Sequence, residues 1–234
     1  MRTDTAISTT QGVLPLSHIA RAWWPLAASW LLMSADQPAL SAIVARLPQP
    51  EINLAAYGGI VFPLALIIES PIIMLLSAST ALSKDTDSYR LIYRFMMIAG
   101  GLLTVLHAAV AFTPLYYVVV RDILGAPAEI QEPARLGLQI MLPWTWSIGY
   151  RRFHQGVLIR FGQSRAVGAG TLVRLVANLT VLFIGLAVGT VPGIVVATLS
   201  VAAGVISEAA FIGLRVRPVL RNDLPLAEPV QPPL

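Results

Sequence analysis

Apolar residues run through the chain in six long stretches that are separated by short polar segments. Each stretch holds about 20 residues or more, which is the length a helix needs to cross the hydrocarbon core of a bilayer. None shows the apolar–polar alternation of membrane β-barrel strands, and the pattern therefore predicts helices. The predicted spans are 23–44, 54–78, 91–118, 136–159, 167–188 and 193–214.

Composition supports the same class of protein. The 234 residues are 56% hydrophobic and 12% charged, with a mean hydropathy of +0.73, whereas soluble domains carry about 25% charged residues. The chain has no cysteine, which excludes disulfides, thiolate metal sites and cysteine nucleophiles. We predict an all-α integral membrane protein whose main partner is the lipid bilayer.

The distribution of Lys and Arg predicts the orientation of the spans. Twelve basic residues fall on one side: Arg2, Arg21, Lys84, Arg90, Arg94, Arg151, Arg152, Arg160, Arg165, Arg215, Arg217 and Arg221. Three fall on the other side, Arg46, Arg121 and Arg135, and Arg174 lies within a span. We expect both termini to be cytoplasmic, in a multi-pass protein of the plasma (inner) membrane. These loop cations indicate topology rather than nucleic-acid binding.

The spans divide the chain into three expected parts. Residues 1–22 form a cytoplasmic arm, 23–217 a lobe of about six transmembrane helices, and 218–234 a proline-rich tail or linker. Small residues at four-residue spacing, Gly185, Gly189, Gly193 and Ala197, indicate close helix packing in the last two spans.

Two spans carry an acid two residues before a proline. Asp36 precedes Pro38, and Glu69 precedes Pro71. A carboxylate in mid-membrane is costly and usually faces a cavity or an ion pathway, and a proline there frees a backbone carbonyl. One interpretation is that both acids bind a proton, a cation or a substrate group. The other is structural, with each acid capping the freed backbone or pairing with Arg174.

Three further sets of polar residues are candidates for binding, ion-pairing or packing roles. Arg151 and Arg152 either lie inside the fourth helix, where they would bind an anion through their fork of donors, or mark its cytoplasmic end. Arg174 and Glu208 are a candidate buried ion pair, and each has other candidate partners. The isolated His107 and His154 are interpreted as hydrogen-bonded packing residues. No catalytic or dinucleotide-binding signature is present, and we expect neither an enzyme nor a resident cofactor or metal.

The order of several segments resembles a known superfamily of transporters. They are SADQPAL at 34–40, LAAYG at 54–58, LHAAVAF at 106–112 and LYYVV at 115–119, followed by 151–165 and GTLVR at 170–174. The first four resemble the N-terminal half of progressive-ankylosis-type transporters. The last two resemble the wider multidrug/oligosaccharidyl-lipid/polysaccharide flippase superfamily, which includes the multidrug and toxic-compound extruders. The resemblance covers roughly residues 24–214, in a chain with about half the helices of such transporters.

The resemblance implies one six-helix lobe of a two-lobe transporter that works by alternating access. Asp36 and Glu69 would then bind a coupling proton or sodium ion, and Arg151 and Arg152 a small anionic or amphipathic solute. The missing lobe would come from a partner chain or a homodimer. A different class remains open, namely a non-transporting six-helix membrane scaffold or interaction subunit.

Overall fold

The computed structural model describes residues 16–224, and every regular element in that range is helical. The first two predicted spans correspond to broken helices. The elements are α1 (Leu16–Ser34), α2 (Asp36–Val44), α3 (Pro50–Ala56), a π-helical turn (Tyr57–Val61), α4 (Phe62–Glu69), a 3₁₀ turn (Ser70–Ile72) and α5 (Leu75–Leu82).

The remaining elements are longer. They are α6 (Thr86–Phe112), α7 (Leu115–Tyr117), a π-helical turn (Val118–Ile123), α8 (Ala128–Ile140), α9 (Leu142–Arg160), α10 (Ser164–Val188), α11 (Gly193–Pro218) and a π-helical turn (Val219–Asp223). The third predicted span is corrected at its end, because α6 stops at Phe112, just before Pro114. The expected arm and tail lie mostly outside the described residues, but α1 already begins at Leu16 and helical backbone continues to Asp223.

Within residues 16–224, four helical segments are long and apolar enough to cross a membrane. They are Pro50–Leu82, Thr86–Phe112, Ser164–Val188 and Gly193–Asp223. The first and fourth predicted spans are also helical, but they are not among these four. The fourth is too polar, since α8 carries two glutamates and an arginine and α9 carries three arginines, and α1 mixes its apolar residues with Trp, Ser and His.

Short-range signals explain several helix ends. Asp85 caps α6, because its carboxylate accepts hydrogen bonds from the backbone N–H groups of Asp87 and Ser88, and the Ser88 hydroxyl accepts one from the Asp85 N–H. Gly189 ends α10 in the left-handed region, at φ 70°, where a residue with a Cβ would be strained.

The helices α9 and α11 form the centre of the bundle. α11 packs against α8, α9 and α10, and α9 packs against α5, α6 and α11. The segment Gly193–Asp223 is the most buried of the four apolar segments, and Ser164–Val188 and Thr86–Phe112 are the least. The outer helices expose large apolar side chains, among them Phe95, Ile98, Leu102, Val176 and Phe183. An apolar outer surface of this kind is suited to lipid rather than to water.

Glycines bring the central helices close together. A Cβ on Gly156 of α9 would lie 1.8 Å from the Ser79 hydroxyl oxygen and 2.4 Å from a backbone carbonyl of α5. One on Gly185 would lie 2.4 Å from a methyl group of Val196. The predicted packing role of the small residues is therefore confirmed at Gly185, where α10 meets α11.

Candidate functional site: a charged layer between two apolar cores

The buried apolar residues form two separate clusters. On α9, one cluster ends at Ile148 and the other begins at Phe153; on α11, one ends at Val205 and the other begins at Ile212. Between them, four helices and the first turn of α2 carry buried or half-buried charged side chains, which we call the charged layer. It consists of Asp36, Glu69, Arg151, Arg152, Arg174 and Glu208.

The charged layer lies at mid-height in the bundle. Glu208 is the middle residue of the apolar segment Gly193–Asp223. At 1.5 Å per residue, it lies about 22 Å along the helix from either end. Charges placed so deep are expensive and persist only with partners or with a function.

Glu208 forms the best-satisfied part of the layer. Its Oε2 accepts a hydrogen bond from Arg151 Nη1 at 2.6 Å, and its Oε1 accepts one from Gln155 Nε2 at 2.9 Å. The side chains of Arg151 and Glu208 are 2% and 0% exposed. This contact joins α9 to α11 across the centre of the bundle.

A second ion pair joins α10 to the first turn of α2. Arg174 Nη2 lies 2.8 Å from Asp36 Oδ2, although the approach lacks the angles of a good hydrogen bond. Asn178, one helical turn beyond Arg174, packs against Gly204, where a Cβ would lie 1.7 Å from the amide oxygen. Gly204 therefore lets α11 approach the helix that carries Arg174.

Glu69 and Arg152 are the two charges of the layer without an ion pair. Among the described residues, neither has a carboxylate–guanidinium contact within 4 Å. Glu69 is 3% exposed, and its Oε2 and the Nε of Arg152 have no hydrogen-bond partner. Nevertheless, α4 packs against α9, and a Cβ on Gly149 of α9 would lie 3.3 Å from Ile72, three residues after Glu69. Glu69 and Arg152 therefore lie on neighbouring, packed segments of the layer.

Interruptions in the helices position both acids. Asp36 is the first residue of α2, immediately after the turn at Ala35 that separates α2 from α1. Glu69 is the last residue of α4, where the backbone tightens into the 3₁₀ turn that contains Pro71. The sequence prediction of an acid at each proline-linked break is confirmed.

The arginine pair lies inside its helix. α9 continues to Arg160, so Arg152 is about 12 Å from the end of the helix at 1.5 Å per residue. The alternative that the pair only marks the end of the helix is therefore wrong. Successive helical residues point about 100° apart, which explains why Arg151 faces Glu208 while Arg152 is left without a partner.

The predicted pair between Arg174 and Glu208 is corrected. Glu208 pairs with Arg151, and Arg174 pairs with Asp36, as one of the structural alternatives for Asp36 proposed. The reason is geometric: the break before α2 brings Asp36 to α10, and Glu208 faces α9.

Sequence reasoning missed Gln155 and Asn178. Each follows an arginine of the layer by four residues, Arg151 and Arg174 respectively. Residues at that spacing share a helix face. Polar residues at i+4 from an intramembrane arginine are therefore a signal that would have found both.

The two histidines behave as the packing interpretation predicts. His107 Nδ1 lies 2.7 Å from the Thr145 hydroxyl and its Nε2 lies 3.0 Å from the Leu138 carbonyl. Because that carbonyl only accepts, Nε2 carries the proton and Nδ1 accepts from Thr145. His154 Nδ1 lies 2.9 Å from the Tyr150 carbonyl. Among the described residues, no group of His, Asp and Glu is arranged to hold a metal ion.

Two clefts are described, and residues of the charged layer line neither. One, of about 520 Å³, lies between Thr80, Lys84, Ile159, Arg160 and Phe161. The other, of about 490 Å³, lies at the opposite end of the bundle and includes Asn53, Glu132, Arg135 and Gln139.

Comparisons with known proteins return no relative. No protein-family model matches the chain, no curated protein matches it, and no solved structure matches it. The class of protein defined so far is an all-α protein with four apolar, membrane-length helices and a buried layer of charge.

Proposed function

We propose that this chain is a self-sufficient secondary membrane transporter, built as one lobe of the two-lobe fold. The observation that carries the proposal is the charged layer, in which six ionisable groups lie at mid-height in the bundle beside interrupted helices. Intramembrane charges mark ion or substrate pathways by default, and discontinuous helices with polar groups at mid-depth are how many transporters build their sites.

The finer architecture belongs to the same proposal. All six predicted spans would cross the membrane. α8 and α9 would together form a polar span, which is acceptable in lipid because its charged side chains face the interior of the bundle. Both termini would be cytoplasmic, as the loop cations favour. The lobe would be of the type found in the multidrug and toxic-compound extruders, and it would export its cargo by alternating access.

Arg152 is the residue we assign to an anionic cargo. Arg151 donates to Glu208 and Arg174 pairs with Asp36, whereas Arg152 has no ion-pair partner among the described residues. A guanidinium recognises carboxylates and phosphates through paired hydrogen bonds. The cargo class that fits this group is therefore a small anionic or amphipathic solute.

A second candidate is a half-transporter that needs a partner lobe. The observation that favours it is that residues of the charged layer line neither of the two clefts at the ends of the bundle. A second lobe, from another chain or a second copy, would complete the pathway by facing the layer. A scaffold that transports nothing is the limiting case of this arrangement.

Counterflow in proteoliposomes tests the proposal. The purified 234-residue chain is reconstituted, and efflux of labelled citrate, pyrophosphate and a cationic dye is followed. We expect efflux of an anion that falls at least tenfold in Arg152→Gln and is unchanged in Arg90→Gln, whose side chain is exposed outside the layer. No efflux of any cargo from folded protein would reject the self-sufficient transporter and favour the half-transporter.

A further inference from the structure

The charged layer contains equal numbers of acids and arginines but only two ion pairs. Asp36, Glu69 and Glu208 face Arg151, Arg152 and Arg174. Two of the acids are paired, at 2.6 and 2.8 Å. Glu69 and Arg152 remain as a carboxylate and a guanidinium on two packed helices, α4 and α9, and neither forms an ion pair within the described residues.

Separated buried charges are costly to maintain. Removing an ion from water costs several kcal/mol even after the protein relaxes, and only good contacts repay this. Glu208 has such contacts in its hydrogen bonds with Arg151 and Gln155, and Asp36 at least has a counter-charge, because Arg174 lies 2.8 Å away. Glu69 and Arg152 have no such compensation within the described residues, which leaves both available to ions from outside.

The field between the two groups couples whatever binds them. Arg152 stabilises the negative charge of Glu69, and Glu69 stabilises the positive charge of Arg152. An anion bound at Arg152 would neutralise the positive charge that stabilises the Glu69 carboxylate. Glu69 would then hold a cation more tightly, and by linkage a cation at Glu69 would strengthen anion binding by the same factor.

We propose that Glu69 and Arg152 form a split ion pair that binds a monovalent cation and an anion together, each increasing the affinity for the other. This inference rests on the proposed function for the identity of the site. The inference goes beyond the proposed function because it gives the two acids different roles. Glu69 holds the coupling cation, and Asp36 is paired with Arg174. The cation is a proton or a sodium ion, since both neutralise a carboxylate.

The groups that surround Glu69 allow this coupling to be isolated. Arg151, Arg152 and Arg174 act on it from α9 and α10. Of these, Arg151 and Arg174 are neutralised by acids on α11 and α2. The charge that changes on anion binding is therefore that of the Arg152 site.

The test measures anion binding, which is independent of transport. The full chain, purified in nanodiscs of zwitterionic lipid, is titrated with sulfate and with succinate, and binding is followed by the shift in thermal unfolding and by calorimetry. Sulfate keeps its charge through the near-neutral pH range, so a pH effect on its affinity reports on the protein. One arm lowers the pH without sodium, and the other adds sodium in place of choline at constant pH.

We expect wild-type sulfate affinity to rise by about 5- to 150-fold in one of the two arms, the range typical of coupled sites. That arm identifies the cation. Glu69→Gln should keep anion binding and lose the dependence on pH or sodium, whereas Glu129→Gln, a matched change on the exposed start of α8, should keep both. Arg152→Gln should lose anion binding, and Arg152→Lys should weaken it while retaining the coupling.

Several outcomes would overturn the inference. They are a wild-type chain that binds neither anion, an Arg152→Gln variant that binds as the wild type does, and a Glu69→Gln variant that keeps the full cation dependence. If Arg152→Gln does not fold, the Arg152→Lys and Glu69→Gln results decide. The proposed function can fail independently of this inference. Coupled anion binding without efflux would support the split ion pair and reject the transporter. Dye efflux without anion binding would support the transporter and reject the split ion pair.

Discussion

Two polar regions of this bundle contain the same residue types but differ in how completely their polar atoms are hydrogen-bonded. At one end, Arg135 donates hydrogen bonds to the carbonyls of Ala111 and Phe112 and to the Tyr117 hydroxyl, which itself donates to Glu132 at 2.6 Å. All three guanidinium nitrogens of Arg135 therefore donate a hydrogen bond. In the charged layer, by contrast, the Nε atoms of Arg151, Arg152 and Arg174 lack partners, as does Glu69 Oε2.

The difference is consistent with a structural role for the Arg135 cluster and with the functional role that we propose for the charged layer. The Arg135 cluster closes the end of α6, where carbonyls have no helical partner, and also stacks over the Tyr117 ring at 5.3 Å. Such a network is complete by itself. A buried network that leaves polar atoms unsatisfied loses stability, so its persistence calls for something the bundle does not provide, such as an ion or a cargo.

The largest expected effect comes from breaking the completed ion pair of the layer. Glu208→Gln leaves Arg151 buried without its counter-charge, which should lower the free energy of unfolding by about 3–5 kcal/mol. The midpoint of thermal unfolding in detergent measures it. Glu132→Gln, in the satisfied end cluster, should cost only about 1 kcal/mol. Equal losses in the two variants would remove the distinction between the regions.

The next effect concerns the packing that holds the arginines in place. Gly156→Ala puts a methyl group against the Ser79 hydroxyl and the α5 backbone, which should cost about 1–3 kcal/mol through overpacking. Gly101→Ala is the control, because nothing lies within 4 Å of its Cβ position. It should leave the thermal midpoint unchanged or raise it, and a loss there as large as that of Gly156→Ala would contradict the packing account.

A smaller effect is expected at the end cluster. Arg135→Met removes hydrogen bonds to partly exposed carbonyls that water can replace, so the free energy of unfolding should fall by about 1–2 kcal/mol. Transport should be unaffected, since the cluster lies outside the charged layer. Counterflow measured beside thermal unfolding checks both parts, and a loss of efflux larger than the loss of folded protein would show that this end of the bundle takes part in transport.

The smallest effect on stability is expected at the split pair. Glu69→Gln removes a buried charge that has no bonded partner, so its free energy of unfolding should change by less than about 1 kcal/mol. Its anion affinity should nevertheless stop responding to pH or sodium. A stability loss comparable to that of Glu208→Gln would show that Glu69 is a structural residue, in the manner of the two completed pairs.

Much of the architecture follows from the sequence alone, for physical reasons. Long apolar runs can only be helices in lipid, because each backbone group must find its hydrogen bond within the segment. The interruptions at Asp36 and Glu69 follow from the prolines two residues later. The packing of Gly185 against Val196 follows from the spacing of small residues. Each of these depends on neighbours along one stretch of chain.

Tertiary structure decided which charges meet. In sequence, Arg151 and Arg152 are equivalent, and Arg174 and Glu208 are the natural pair of the last two spans. The orientation of α9 about its axis places Arg151 against Glu208, and the turn at Ala35 places Asp36 against Arg174. Ion pairing depends on the facing sides of helices that are distant in sequence, which no local pattern encodes. For the same reason, only the folded bundle shows that Glu69 and Arg152 are left without partners.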